Sequence, residues 1–133
     1  MFSDQRQVHL ARSCRAVNRA VVSGAQPAGL ARLAQPPFRM LTLRTFDSPW
    51  IKIPVGTLRK GVVAALPVIA AGDKVLVYCR QGRHRSVAMA SCILIGQGWP
   101  ADEAMKLVKE RRPIADPYAP HIESQIRAFA KSW

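Results

Sequence analysis

Residues 75–86 read VLVYCRQGRHRS, and this stretch decides the fold. Val75 to Tyr78 are apolar or aromatic and too few for a helix, which predicts a short buried strand. Cys79 closes the strand. Gly82 stands midway along the next turn, where a tight loop needs a residue free to adopt positive φ. Arg85 and Ser86 follow, and then VAMASCILI, almost wholly apolar, as a helix buried on every side would be. A strand–loop–helix unit of this kind aims successive backbone N–H groups and a helix N-terminus at one point. That point suits a phosphate dianion.

The side chains fit one chemistry. A thiolate is the nucleophilic form of cysteine, and a helix N-terminus with neighbouring arginines favours it. Arg85 presents a planar fork able to take two phosphate oxygens together, which a lysine does not. Ser86 can donate a hydrogen bond to the sulfur when it departs from a phosphocysteine. Cys79 alone would be read as a buried, inert thiol. Gly82, Arg85 and Ser86 at these offsets change that reading.

The stretch resembles the signature of cysteine-based phosphatases, Cys-x5-Arg followed by Ser or Thr, and above all the dual-specificity phosphatases. The likeness runs from about Leu41 to the C-terminus. One departure is Tyr78, where that family usually carries His. The resemblance implies an α/β domain with a largely parallel central sheet flanked by helices. It also implies a metal-independent phosphomonoesterase working through a phosphocysteine, with Cys79, Arg85 and Ser86 as catalytic residues. Backbone N–H groups of Arg80, Gln81, Gly82, Arg83 and His84 would bind the phosphate, and the variable side chains among them would tune substrate choice. Arg80 and Arg83 suit substrates with more than one anionic group, phosphoinositides among them.

Expelling an alkoxide or phenoxide calls for a proton donor. In the family an Asp on a separate loop, about thirty residues before the Cys, does this. Asp47 lies 32 positions before Cys79, after the strand-like run Phe38–Phe46 and on the Pro-containing turn DSPW. It is the expected acid, with Asp116 in IADPY as the fallback. In IKIPVG a second possible acid loop begins, but Gly56 and Thr57 stand where an acid would be needed.

Around this unit the chain reads as follows. Residues 1–15 carry little pattern, Ala16–Val22 suggests an edge strand, and Gly29–Gln35 a short helix stopped by Pro36-Pro37. Residues 57–71 read as a helix with Leu58, Val62, Leu66 and Ile69 on one face and Thr57 as N-cap. Pro67 predicts a kink or early end. Gly72-Asp73 turns into the Val75 strand, and Gly96-Gln97-Gly98 ends the buried helix. Pro100 opens ADEAMKLVKERR, whose early acids and late bases suit the helix dipole. A last helix spans about Pro120 to Lys131, with His121 as a helix-end residue.

The chain has 133 residues, enough for one core, and residues 1–133 are read as a single domain. Three cysteines without a Cys-x-x-Cys pair argue against a disulfide scaffold and a zinc site, so no cofactor or metal is expected. A reducing, cytoplasmic setting follows. The N-terminus is too polar for a secretory signal. Residues 5–20 are Arg-rich and acid-free, as transit peptides are, but are expected to belong to so small a domain. No apolar run is long enough to span a bilayer.

Net charge is +12, and the residues up to 72 hold only two acids, Asp4 and Asp47. Such a field attracts polyanions, so the expected partners are a phosphorylated protein or a phospholipid, with inorganic phosphate or a like oxyanion in the site. No aromatic RNA-binding motif or zinc finger turns the charge into sequence readout of nucleic acid. Two other readings stand beside the phosphatase. VYCRQG…RS also resembles the loop of rhodanese-like sulfurtransferases, but that loop usually has four residues between Cys and Arg, and here five intervene. The third is a non-catalytic phosphate-binding adaptor.

Overall fold

The computed structural model describes residues 8–10, 20–23 and 39–133, with side chains from residue 41 onward. Four strands, β1 (Val8–Leu10), β2 (Ala20–Ser23), β3 (Arg39–Thr42) and β4 (Val75–Tyr78), form one sheet in the order β1-β4-β2-β3. Every pairing is parallel, with Val75 opposite both Val8 and Ala20. All four residues of β4 are buried, as a strand flanked in its sheet and covered on both faces requires. Its carboxyl end carries Cys79 to the edge of the sheet where α/β folds hold their ligands.

The helices are α1 (Val55–Ala70), α2 (Arg85–Gly96), α3 (Ala101–Arg111) and α4 (Pro120–Ser132). Residues 86–95 of α2 are all buried, because α1, α3, α4 and the sheet surround it. The core joins Leu58 and Val62 of α1, Val87 and Ile93 of α2, Met105 of α3, and Ile122, Ile126 and Phe129 of α4. Gly61 lets α1 approach α2, since a Cβ there would run into the Met89 side chain and Leu43.

Several expectations are corrected. The stretch 1–15, read as patternless, contains β1, a strand too short to show an alternation. β2 is not an edge strand but lies between β4 and β3. Of the expected Phe38–Phe46 strand, Arg39–Thr42 form β3 and residues 43–46 do not continue it, while Phe38 lies outside the described residues. The Gly29–Gln35 helix lies outside the described residues, as do residues 5–7 and 11–19 of the Arg-rich segment, which contributes β1 and the first residue of β2 to the sheet.

α1 starts before Thr57. Pro54 takes the capping position with no side-chain cap, and the Thr57 N–H donates to the Pro54 carbonyl at 3.0 Å. Nor does Pro67 end the helix, which runs on to Ala70. The carbonyl that Pro67 deprives of a donor belongs to Val63, 55% exposed and so open to water. The Gly72 turn, with φ 84°, leads into β4 as expected.

Candidate active site

Cys79, 8% exposed, stands where β4 ends and the loop begins. The Gly82 N–H donates to Cys79 Sγ at 3.2 Å, and Ser86 Oγ lies 3.3 Å from the same sulfur. Burial pushes the thiol up. Hydrogen bonds from the Ser86 hydroxyl, the Ser86 N–H and the Gly82 N–H, with the Arg85 charge, outweigh it and hold the thiol below its ordinary value. Cys92, on α2, has burial alone, which pushes its thiol far up.

The loop is held from outside by its carbonyls. Arg112 Nε donates to Gly82 O at 3.0 Å, and the Asp116 N–H donates to Arg83 O at 3.0 Å. With those carbonyls turned outward to the segment joining α3 to α4, the peptide N–H groups are free to face inward. Gly82 takes φ 65°, a conformation that favours glycine, and a Cβ there would displace the Arg112 guanidinium, which lies 2.6 Å from that position. Arg85 Nη1 donates to Thr45 O at 3.1 Å, tying the first turn of α2 to the segment before Asp47. A loop of this shape with a thiolate at its base can hold a tetrahedral oxyanion against the sulfur. The side chains of Arg80, Gln81 and Arg83 are exposed around it.

Both acid candidates reach this loop, on opposite sides of one imidazole. His84 Nδ1 lies 2.9 Å from Asp47 Oδ2, and His84 Nε2 lies 3.8 Å from Asp116 Oδ2. His121, at the start of α4, places Nε2 3.1 Å from Asp47 Oδ1. Burial would raise the Asp47 carboxyl, but hydrogen bonds from His121 and His84 and their charge hold it below its ordinary value. Asp47 is thus ionised at rest. Two residues of the site carry no signal in the sequence: His121, expected as a helix-end residue, sits on Asp47, and Arg112 holds the loop at Gly82 O. Neither lies near Cys79 in sequence, and only the packing of α3 and α4 against α2 brings them in.

No family model matches the chain. Over 93 residues it is 31% identical to human dual specificity phosphatase 28, covering 69% of this chain and 52% of that protein. The crystal structure of human DUSP28 superposes with a TM-score of 0.73 at 29% identity, covering 87% of this chain and 78% of that one. In sequence and in fold the chain is similar to dual-specificity phosphatases. The crystal structure of PTPMT1 shares the fold at a TM-score of 0.71 and 25% identity, covering 87% of this chain and 77% of that one. PTPMT1 has also been solved in complex with PI(5)P. The chain spans about half the length of the curated relatives it matches. Among its described residues no helix is long and apolar enough to cross a membrane.

Proposed function

We propose that the chain is a cysteine-dependent phosphomonoester hydrolase, its 133 residues forming one phosphatase-like domain. The observation that carries this reading is the thiol. Cys79 Sγ is buried yet hydrogen-bonded by Gly82 and Ser86 so that its thiolate is favoured. This activation operates with Tyr78 in the place where the family usually has His.

A substrate phosphate enters the loop, its oxygens held by loop N–H groups and the Arg85 guanidinium. The Cys79 thiolate attacks phosphorus and the ester oxygen leaves, taking a proton from Asp47. The bound dianion, a like charge near the carboxylate, raises the affinity of Asp47 for that proton. Water then attacks the phosphocysteine, Asp47 receives its proton, and Ser86 donates to the departing sulfur. Asp116 hydrogen-bonds through its backbone to the loop, which favours a supporting role for it over that of the acid. No step calls for a metal.

The substrates are phosphoproteins or phospholipid headgroups in a cytoplasmic setting. The exposed Arg80 and Arg83 and the +12 charge favour multiply anionic ones, and PI(5)P bound to PTPMT1 is a chemical parallel. The likeness to dual-specificity phosphatases favours this hydrolase over a sulfurtransferase. The test is phosphate release from a small aryl phosphate in the presence of chelator, by the native chain and by Cys79→Ser. Turnover by the native chain alone is expected. Equal turnover by the serine variant, or strict dependence on a divalent ion, would remove the phosphocysteine scheme.

A further inference from the structure

Asp47, His84 and His121 come from three separated segments and bring one carboxylate and two imidazoles to one point. Ligand atoms from the three lie within 4.8 Å of one another. The geometry points to a binding site for Zn2+ or a similar divalent d-block cation, held by Asp47, His84 Nδ1 and His121 Nε2 beside the Cys79 loop.

The donor set is the first argument. Two imidazole nitrogens and a carboxylate oxygen suit zinc and its neighbours and not Mg2+ or Ca2+, which prefer oxygen alone. Three protein ligands with an open fourth position are a frequent zinc arrangement. Spacing is the second. With Zn–N and Zn–O bonds of about 2.0–2.1 Å, the edge of a tetrahedral site is about 3.3 Å. Asp47 Oδ1 already lies 3.0 Å from His84 Nδ1 and 3.1 Å from His121 Nε2, close to that edge, and the two imidazole nitrogens, within 4.8 Å of each other, draw together to close the site.

The third argument is independent of the three ligands. A metal-bound histidine usually donates its other ring N–H to a carboxylate, which fixes the tautomer. His84 turns Nδ1 to Asp47 and faces Asp116 Oδ2 with Nε2 at 3.8 Å, an ion-pair distance from which a small shift would make the hydrogen bond. The rings are also placed before any ion arrives. His84 precedes α2 directly, His121 lies in the first turn of α4, and the two meet edge to face with centroids 5.0 Å apart. Their side chains are 17% and 13% exposed and that of Asp47 is 30% exposed, which leaves a path for entry.

Filling the site commits the Asp47 carboxylate to the ion, so it can no longer carry a proton to a leaving group. The ion is therefore an inhibitor and not a cofactor. This consequence, unlike the site itself, rests on Asp47 being the acid.

The experiment is titration of Zn2+, and of Co2+ followed by its visible absorption, into the Cys79→Ser chain, where the reactive thiol cannot contribute. One equivalent is expected to bind, with tetrahedral Co2+ bands, and Mg2+ is not expected to compete. His84→Ser and His121→Asn, each made separately and checked by circular dichroism, should each weaken binding at least about 100-fold. Asp116→Asn, changed 3.8 Å from His84 Nε2, should weaken it less than either histidine substitution. No binding to Cys79→Ser, or binding indifferent to both histidines, overturns the site. Zinc bound with this ligand dependence, yet without effect on alkyl phosphate hydrolysis by the native chain, upholds the site and rejects Asp47 as the acid.

Discussion

The Cys79 loop and the Asp47 cluster lie side by side, but the chain builds them in opposite ways. Cys79, Gly82, Arg85 and Ser86 fall within eight consecutive residues, and the contacts to the sulfur span three and seven positions. Asp47 meets His84 across 37 positions and His121 across 74. The loop is a local structure whose backbone dictates its shape. The cluster exists only once α2 and α4 have packed and the loop before α1 has closed over them. A local site tolerates change in its surroundings and fails by changes to its own residues, whereas an assembled one fails when any contributor moves.

Apart from the loss of Cys79 itself, the largest expected effect falls on the assembled region. Asp47→Asn should slow hydrolysis of alkyl phosphates by about 10²–10⁴, the usual worth of a general acid. Aryl phosphates with acidic leaving groups should lose less in the cleavage step, because they depart without a proton. Steady-state and burst kinetics on both classes check this. An equal loss on the two would make Asp47 a structural residue, and the leaving-group pattern appearing only in Asp116→Asn would exchange the two acids.

Next comes the tie between the loop and the rest of the fold. Arg112→Leu removes the donor to Gly82 O, a charge-assisted bond worth about 1.5–3 kcal/mol. Vanadate or phosphate affinity should fall about 10–100-fold, measured by calorimetry or competitive inhibition. Unchanged affinity would mean that the loop keeps its shape without outside help, and the contrast between the regions would be sharper still.

Within the loop, Ser86→Ala tests what holds the thiol down. The Ser86 hydroxyl lowers the Cys79 pKa, so its loss raises it. The pH midpoint of alkylation by iodoacetamide should therefore move to higher pH. Cys92, pushed far up by burial, should stay unreactive across the same range and serves as the internal control. A midpoint that does not move would assign the activation to the backbone and Arg85.

The smallest effect is expected at the rim. Arg80→Gln with Arg83→Gln should cost a bis-phosphorylated headgroup several-fold in kcat/KM and a simple aryl phosphate little. The difference should shrink by 0.5 M salt, since exposed charges are screened over about 8 Å at physiological ionic strength. Parallel losses on both substrates would show that these arginines only support the loop.

The sequence alone determined the strand–loop–helix, because its three parts are adjacent and each has a strong local cause. Val75 to Tyr78 are uniformly apolar, Gly82 is the one residue in the loop that takes φ 65° without strain, and 86–95 are suited to burial on all sides. The resemblance to dual-specificity phosphatases rests on that unit, and with it the expectation of a largely parallel α/β sheet. Tertiary structure decided what surrounds it. β1 is three residues long and carries no pattern, so only its pairing with Val75–Val77 defines it. Thr57 has a capping side chain but lies a turn too late, and α1 begins where Pro54 and the packing of Leu58 set it. His121 and Arg112 have no signal in their own neighbourhoods. They reach Asp47 and Gly82 because α3 and α4 pack on α2 to bury Met105, Ile122, Ile126 and Phe129. That burial is a property of whole helix faces, and it carries along polar residues whose partners no local pattern specifies.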